Sequence, residues 1–179
     1  MKINEVLIET PIPNLQTFLN TFPKMPPHVA KDIWRQKQPA TDPRVINQLK
    51  KGASAEETFI SLMTGRLSGI TKDPMTGLSP EDLEKVLLQA SWNLQKLKVN
   101  PSNFTPHTIE RMKIWEGDPA RIERAKASND PVTLIKSEQG LILWEGWHRT
   151  MLKLKSGSDG TNNYANWEPV ELNAWVASY

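Results

Sequence analysis

The chain has 179 residues, of which 38% are hydrophobic and 23% charged, and its formal net charge is +2, a composition typical of globular proteins rather than disordered ones. It contains no cysteine, which excludes disulfide bonds, thiolate metal sites and cysteine nucleophiles. No apolar run approaches the ~20 residues of a transmembrane helix, and the N-terminus lacks the apolar core of a secretory signal. We therefore expect a cytoplasmic protein with no membrane partner.

Residues 1–90 are predicted to form a helical N-terminal extension. The beginning of the chain is rich in proline, which indicates extended segments and turns with one short helix around residues 27–37. A second helix is predicted over residues 42–52, with an aspartate as N-cap and a glycine at its end. A third helix begins with a capping box formed by Ser54 and Glu57.

The strongest helix signal runs over residues 79–99. Ser79 is a suitable N-cap, and the acidic residues that follow it match the positive end of a helix dipole. Apolar residues then recur at helical spacing and predict one continuous apolar stripe. The members of this stripe are Leu83, Val86, Leu87, Ala90, Leu94 and Leu97. Residues 97–104 either end this helix or begin a strand.

The second half of the chain alternates between strand and helix patterns. Two helices are predicted within residues 105–129, each with an N-cap followed by proline. Residues 130–146 predict two short strands joined by a turn, and residues 147–157 predict a helix. A polar loop over residues 156–169, of the kind that often covers a site, precedes a strand over residues 169–178. This order predicts an α+β or α/β module of about 80 residues, preceded by helices.

The segment LILWEGWHRT sets a glycine between an apolar strand and a helix. Gly146 permits a tight bend, and the helix after it directs unpaired amides and the positive end of its dipole at the bend. Arg149 lies in the first helical turn, where a cation is unfavourable unless an anion binds beside it. With the Thr150 hydroxyl, these groups indicate a phosphate site. The alternative is that Glu145 pairs with Arg149 and that His148 is a surface histidine.

This region resembles the ParB/sulfiredoxin superfamily. Members of that superfamily share an apolar strand, a Gly-x-His-Arg turn, an amphipathic helix and a closing strand. The matching positions are Glu145, Gly146, His148 and Arg149. The resemblance covers about residues 95–177 and implies a ParB/sulfiredoxin-like domain over residues 91–179. It also implies a nucleotide site, in which the turn and the helix N-terminus hold the phosphates of ATP, ADP or CTP.

The chain departs from the superfamily in three places. Sulfiredoxins carry their catalytic cysteine at the variable position of the turn, where this chain has Trp147, so that repair chemistry is excluded. ParB proteins continue into a DNA-reading domain, for which no room is expected before Tyr179. The superfamily's free-serine kinases place a glutamate base after the first strand, where His107 and Glu110 match only loosely. Trp147 is expected to fill the core rather than to stack on a base.

These features together predict a nucleotide-binding protein that hydrolyses a nucleoside triphosphate or transfers its phosphoryl group. The residues expected to bind the nucleotide, ATP or CTP, are Gly146, Trp147, His148, Arg149 and Thr150. The expected catalytic residues are Glu145, His148 and Arg149. His148 would contact a phosphate or polarise the leaving group, and Glu145 would orient Arg149 or help to hold Mg²⁺. The pair formed by His107 and Glu110 lacks a third ligand, so no protein metal site is predicted.

Two other functions fit the same sequence. One is a DNA-binding or nuclease protein of ParB-like type. The other is a catalytically inactive ParB-like module that contacts a protein partner through residues 1–90. A run of basic residues is interleaved with acidic ones, which is typical of a solvated helix face but is also compatible with contacts to phosphate or to a nucleic-acid backbone. The basic residues of this run are Arg111, Lys113, Arg121, Arg124 and Lys126.

Overall fold

The computed structural model of the chain describes residues 13–158 and 166–179. Within these residues it contains eight α-helices and one four-stranded mixed sheet, which confirms the α+β class. The helices are α1 (Leu15–Thr21), α2 (Pro27–Lys37), α3 (Pro43–Lys50), α4 (Ala55–Met63), α5 (Pro80–Leu88), α6 (Pro106–Lys113), α7 (Pro119–Ala127) and α8 (Trp147–Ser156). The strands are β1 (Ser91–Val99), β2 (Val132–Ser137), β3 (Gly140–Glu145) and β4 (Val170–Ser178). Residues 159–165, half of the predicted polar loop, lie outside the described residues.

The strand order in the sheet is β1-β4-β2-β3. β4 pairs antiparallel with β1 and parallel with β2, while β2 and β3 form the antiparallel hairpin that the sequence predicts. Since β2 and β4 run in the same direction, the chain must cross over between them, and α8 lies in that connection. The end of β3 therefore leads directly into α8, at the point where the phosphate site is predicted.

Side chains of the sheet alternate between two separate hydrophobic layers, as the period of two in a strand requires. Ile142 and Trp144 face a layer formed by the N-terminal helices, whose buried residues include Phe18 and Phe59. Leu143, between them, faces the opposite layer, which includes buried residues of α6 and α8. The sheet is thus covered by α1 to α5 on one face and by α6 and α8 on the other.

Several helix boundaries agree with the signals in the sequence. The Asp42 side chain accepts the Arg44 N–H at 2.8 Å and caps α3, and the predicted capping box at the start of α4 is formed. The helix α1 was not predicted, because the prolines around it indicate extended chain. It begins at Leu15, where the Asn14 side chain accepts the Thr17 N–H at 2.9 Å.

The predicted single helix over residues 79–99 is wrong. Its first half is α5, but the chain then continues as β1, which pairs along its whole length with β4, from Ser91 opposite Ser178 to Val99 opposite Val170. Leu94 consequently leaves the apolar stripe and is 56% exposed. Neither glycine nor proline separates the two elements in the sequence. The pairing with β4, a long-range contact, overrides the local helical pattern.

Candidate functional site

The bend and helix predicted around Gly146 are present. β3 ends at Glu145, Gly146 has a left-handed φ of 88°, and α8 begins at Trp147. The Gly146 carbonyl accepts the Thr150 N–H at 2.9 Å, which closes the first turn of α8. Among the described residues no side chain caps this helix. The first amides of α8 are therefore free of the side-chain acceptor that most helices provide.

Close packing on β2 requires a glycine at this bend. A Cβ atom on Gly146 would lie 2.6 Å from Cγ1 and 2.8 Å from Cβ of Val132, which is buried. The left-handed conformation also favours glycine, because a side chain in that region is strained. Strand, bend and helix are consequently held in one fixed relation.

The Arg149 guanidinium folds back over the bend. Its Nη2 donates to the Pro131 carbonyl at 3.2 Å and lies 3.2 Å from the position that a Cβ on Gly146 would take. The side chain is half-buried, and its Nε is buried without a hydrogen-bond partner. No carboxylate of the described residues lies within 4.0 Å of it, so the alternative ion pair with Glu145 is not formed. The cation therefore stays at the positive end of the helix dipole without a local counter-ion.

Glu145 lies between the sheet and the N-terminal helices. Burial raises the pKa of its carboxyl, and hydrogen bonds from the Gln36 side chain and the Gly146 N–H oppose that rise. Asp32 raises the pKa further, whereas Arg149 lowers it. Gln36 and Asp32 belong to α2, so the N-terminal half of the chain contributes to the surroundings of the bend. No local pattern in the sequence indicates this contact.

His148 lies under an aromatic cover supplied by the segment after α6. The rings of Trp115 and His148 are 5.4 Å apart in an edge-to-face arrangement, and Nε2 of His148 is buried without a partner. Burial lowers the pKa of His148, and the nearby charges of Arg121 and Arg124 lower it further, while Asp118 has the opposite effect. The histidine therefore lies in a region of positive potential.

Trp147 and Thr150 belong to the buried side of the first turn. Trp147 is 8% exposed and packs in the same hydrophobic layer as Met151, which confirms its predicted place in the core. The Arg111 guanidinium lies 5.0 Å from the centroid of the Trp147 ring, a cation–π contact. Thr150 is fully buried, and its hydroxyl has no hydrogen-bond partner.

Unpaired polar atoms are concentrated at this turn. Six buried side-chain nitrogen or oxygen atoms of the described residues lack a hydrogen-bond partner, and five of them lie here. They are Nε of Arg111, Nε1 of Trp147, Nε2 of His148, Nε of Arg149 and Oγ1 of Thr150. Because buried polar groups in native proteins are nearly always hydrogen-bonded, a cluster of unpaired ones calls for a functional explanation.

The sequence identified the turn but not the residues that converge on it from elsewhere. In the sequence Arg111 stands out only as a member of a basic run, and no local pattern indicates Trp115 or Gln36. The rest of that run is partly neutralised, since Lys113 pairs with Glu110 at 2.6 Å. Lys126 likewise pairs with Glu123 at 2.6 Å.

The weaker metal candidate has a structural explanation. Nε2 of His107 lies 3.2 Å from the Pro74 carbonyl, and Glu110 is engaged by Lys113. Within residues 13–158 and 166–179, no group of three or more histidine, aspartate or glutamate side chains is arranged to hold a metal ion. A metal at the Gly146 bend would therefore need ligands from a bound molecule as well as from Glu145.

The chain matches no family model, no curated protein and no solved structure. Among the helices described, none is long and apolar enough to span a bilayer. The geometry and chemistry of the turn are therefore the basis on which a function can be assigned.

Proposed function

We propose that the first turn of α8 binds the phosphates of a nucleoside triphosphate, ATP or CTP, in a ParB/sulfiredoxin-like domain. The observation that carries this proposal is the cluster of five unpaired buried atoms. Arg111, Trp147 and Arg149 supply nitrogens that can only donate, and the Thr150 hydroxyl and His148 can also donate. A group of donors needs a ligand rich in acceptors, and phosphate is the strongest such ligand in nucleotides.

Electrostatics support the same ligand. The N-terminus of α8 is positive, and Arg149 adds a full charge that no described carboxylate neutralises within 4.0 Å. Arg121 and Arg124 are close enough to lower the pKa of His148. A bound phosphate would offset this excess of positive charge, which the fold otherwise maintains at some cost in stability.

In this proposal a ligand reaches the unpaired atoms through movement of side chains. Arg111 lies over the Trp147 ring and Trp115 packs edge-on against His148, so these two side chains cover the turn. Trp115 follows the end of α6, and Lys155 of α8 lies 4.8 Å from its ring centroid. Rotation of the Arg111 and Trp115 side chains would open the turn while α8 and β3 stay in place.

The residues have distinct roles in this proposal. Arg149 and the amides after Gly146 hold phosphate oxygens, and Arg111 adds a second guanidinium. His148 contacts a phosphate, and its lowered pKa keeps it able to accept as well as donate a hydrogen bond near neutral pH. Glu145 is the residue that would supply a carboxylate to Mg²⁺ if the ion accompanies the nucleotide. A bound triphosphate supplies the phosphoryl group that can be transferred or hydrolysed.

Isothermal titration calorimetry with ATP·Mg²⁺ and CTP·Mg²⁺ tests the proposal. Arg149→Ala should weaken nucleotide binding about 10- to 100-fold, since it removes a charge-assisted hydrogen-bond donor. Arg149→Lys should restore only part of the affinity, because lysine lacks the planar fork. The matched control is Arg66→Ala, an exposed arginine that pairs with Glu84. It should leave nucleotide binding unchanged.

The titration of His148 gives a second measurement. Binding of an anion beside the ring should raise its pKa, which NMR detects as an upward shift of the histidine titration midpoint. Absence of nucleotide binding by the wild-type protein would refute the proposal. Binding without phosphate release would identify the inactive module. DNA binding with a steep salt dependence and no nucleotide binding would favour the DNA-acting alternative.

A further inference from the structure

A cleft opens on the side of α8 that faces α7. It has a volume of about 280 Å³ and extends from the end of α7 to Asn173 on β4. We propose that this cleft binds a small carboxylic acid that carries an ammonium or hydroxyl group close to its carboxylate. This inference goes beyond the nucleotide site, although Arg149 borders both.

The α8 wall of the cleft is cationic. Arg149 and Lys153 lie four residues apart and Ser156 a further three, so the three side chains form one stripe along the helix. Lys153 Nζ donates to the Glu171 carbonyl at 3.1 Å, which places its ammonium at the cleft beside β4. The two cations pair with no described carboxylate within 4.0 Å, so this wall favours an anionic group.

A second wall of the cleft, formed by the residues that follow α7, favours a donor or a cation. Asp130 lines it and accepts a hydrogen bond from the Ser128 hydroxyl at 2.8 Å, but it forms no ion pair with the described residues. The end of α7 lies on the same wall, and the Ser128 N–H bonds the Ala125 carbonyl at 3.3 Å there. The C-terminus of a helix carries partial negative charge. Lys126, also on this wall, is already paired with Glu123.

The size and the apolar lining of the cleft define the rest of the ligand. Leu152 and Leu172 line the cleft beside the charged residues. The volume of about 280 Å³ lies at the lower limit for sites that hold drug-sized molecules, so a much smaller molecule fits. A small cleft lined by Asp130 and by Arg149 and Lys153, which form no ion pair with it within 4.0 Å, matches an amino acid or a hydroxy acid better than a simple anion.

The experiment follows backbone amide shifts of the full chain by ¹H–¹⁵N NMR during titration with three kinds of probe. Free amino acids such as glycine and alanine represent the ammonium form, and glycolate and lactate represent the hydroxyl form. Acetate and ethylamine each supply only one of the two groups. We expect at least one amino acid or hydroxy acid to cause saturable shifts at residues 128–130 and at Lys153, and about tenfold weaker binding of acetate and ethylamine.

Two lysines of α8 provide a matched pair of variants. Lys153→Ala removes a cation that lines the cleft and should weaken binding of the acid about tenfold. Lys155→Ala removes the neighbouring exposed lysine, which lies over Trp115, and should leave binding within about twofold. Asp130→Asn should weaken binding of an amino acid about tenfold and binding of a hydroxy acid much less. This difference shows whether the ligand carries an ammonium or a hydroxyl group.

The result that would overturn the proposal is absence of saturable shifts at residues 128–130 for every amino acid and hydroxy acid at about 20 mM, a concentration that detects weak binding. Equal effects of Lys153→Ala and Lys155→Ala would overturn it as well. Dispersed spectra of each variant establish that the variant is folded. Asp130→Asn should not change nucleotide affinity, so failure of the cleft and failure of the nucleotide site are measured separately.

Discussion

Substitution of Gly146 by alanine tests whether the bend depends on close packing as well as on backbone conformation. The chain contains a natural control, Gly52, which has the same φ of 88°. A Cβ on Gly52 would meet no atom within 4 Å, whereas a Cβ on Gly146 would lie 2.6 Å from Cγ1 of Val132. The two substitutions therefore share the conformational strain and differ in the steric overlap.

The expected destabilisation follows from these two contributions. A non-glycine residue in the left-handed region costs roughly 1–2 kcal/mol, which should be the whole effect of Gly52→Ala. Overpacking against a buried side chain adds roughly 1–3 kcal/mol, so Gly146→Ala should lower the free energy of unfolding by roughly 2–5 kcal/mol. At about 2–4 °C per kcal/mol for a chain of this size, Gly146→Ala should unfold at a temperature roughly 2–12 °C below Gly52→Ala.

Urea and thermal unfolding, followed by tryptophan fluorescence, measure the difference between the two variants. Val132→Ala should be less destabilising in the Gly146→Ala protein than in the wild type, because it removes Cγ1, the atom closest to the new methyl group. Equal destabilisation by Gly146→Ala and Gly52→Ala would show that close packing does not contribute to the requirement for glycine at the bend. The same conclusion would follow if Val132→Ala and Gly146→Ala were additive.

Three further predictions concern titration and burial. The NMR titration midpoint of His148 should lie below the ordinary histidine value and should rise in the Arg121→Gln variant. Because folding lowers the pKa of this histidine, it reduces the stability of the protein as the pH falls below about 6.5. An unchanged midpoint in Arg121→Gln would contradict the positive potential at this site. The raised pKa of Glu145 means that folding favours its protonated form, so stability is lost as the pH rises through that pKa. Glu145→Gln should therefore have a higher free energy of unfolding than the wild type in urea at about pH 7. The two free energies should converge near about pH 4. Leu87→Ala should lower the free energy of unfolding by roughly 2–5 kcal/mol and Leu94→Ala by under about 1 kcal/mol, because Leu87 is fully buried and Leu94 is 56% exposed. Similar losses for both variants would favour the single helix over residues 79–99, in which both leucines belong to one apolar stripe.

Local signals predicted much of the second half of the chain. Turn residues and alternating apolar residues located the β2–β3 hairpin, and an N-cap followed by proline located α6 and α7. Gly146 and the helix after it were predicted for the same reason, since a glycine that ends an apolar strand and precedes an amphipathic pattern marks a bend. These features depend on a few neighbouring residues and need no knowledge of the rest of the fold.

The sequence-based predictions are wrong or incomplete where residues distant in the chain determine the local structure. Residues 91–99 have a helical apolar pattern, but nine of their backbone positions pair with β4, which lies more than 70 residues later in the chain. The surroundings of the bend could not be predicted either, because Gln36 and Trp115 contact it from different layers of the fold. The spacing of residues along a sequence does not indicate contacts between distant parts of the chain.

The amino-acid sequence by itself determined the α+β composition, the hairpin and the glycine bend with an arginine in the first turn of the following helix, because short-range sterics and capping fix these features. Tertiary structure alone decided that Arg149 folds back over the bend, that Arg111 and Trp115 cover the turn, and that five polar atoms there are buried without partners. Burial and hydrogen bonding depend on which surfaces meet, and that is set by the packing of the whole chain.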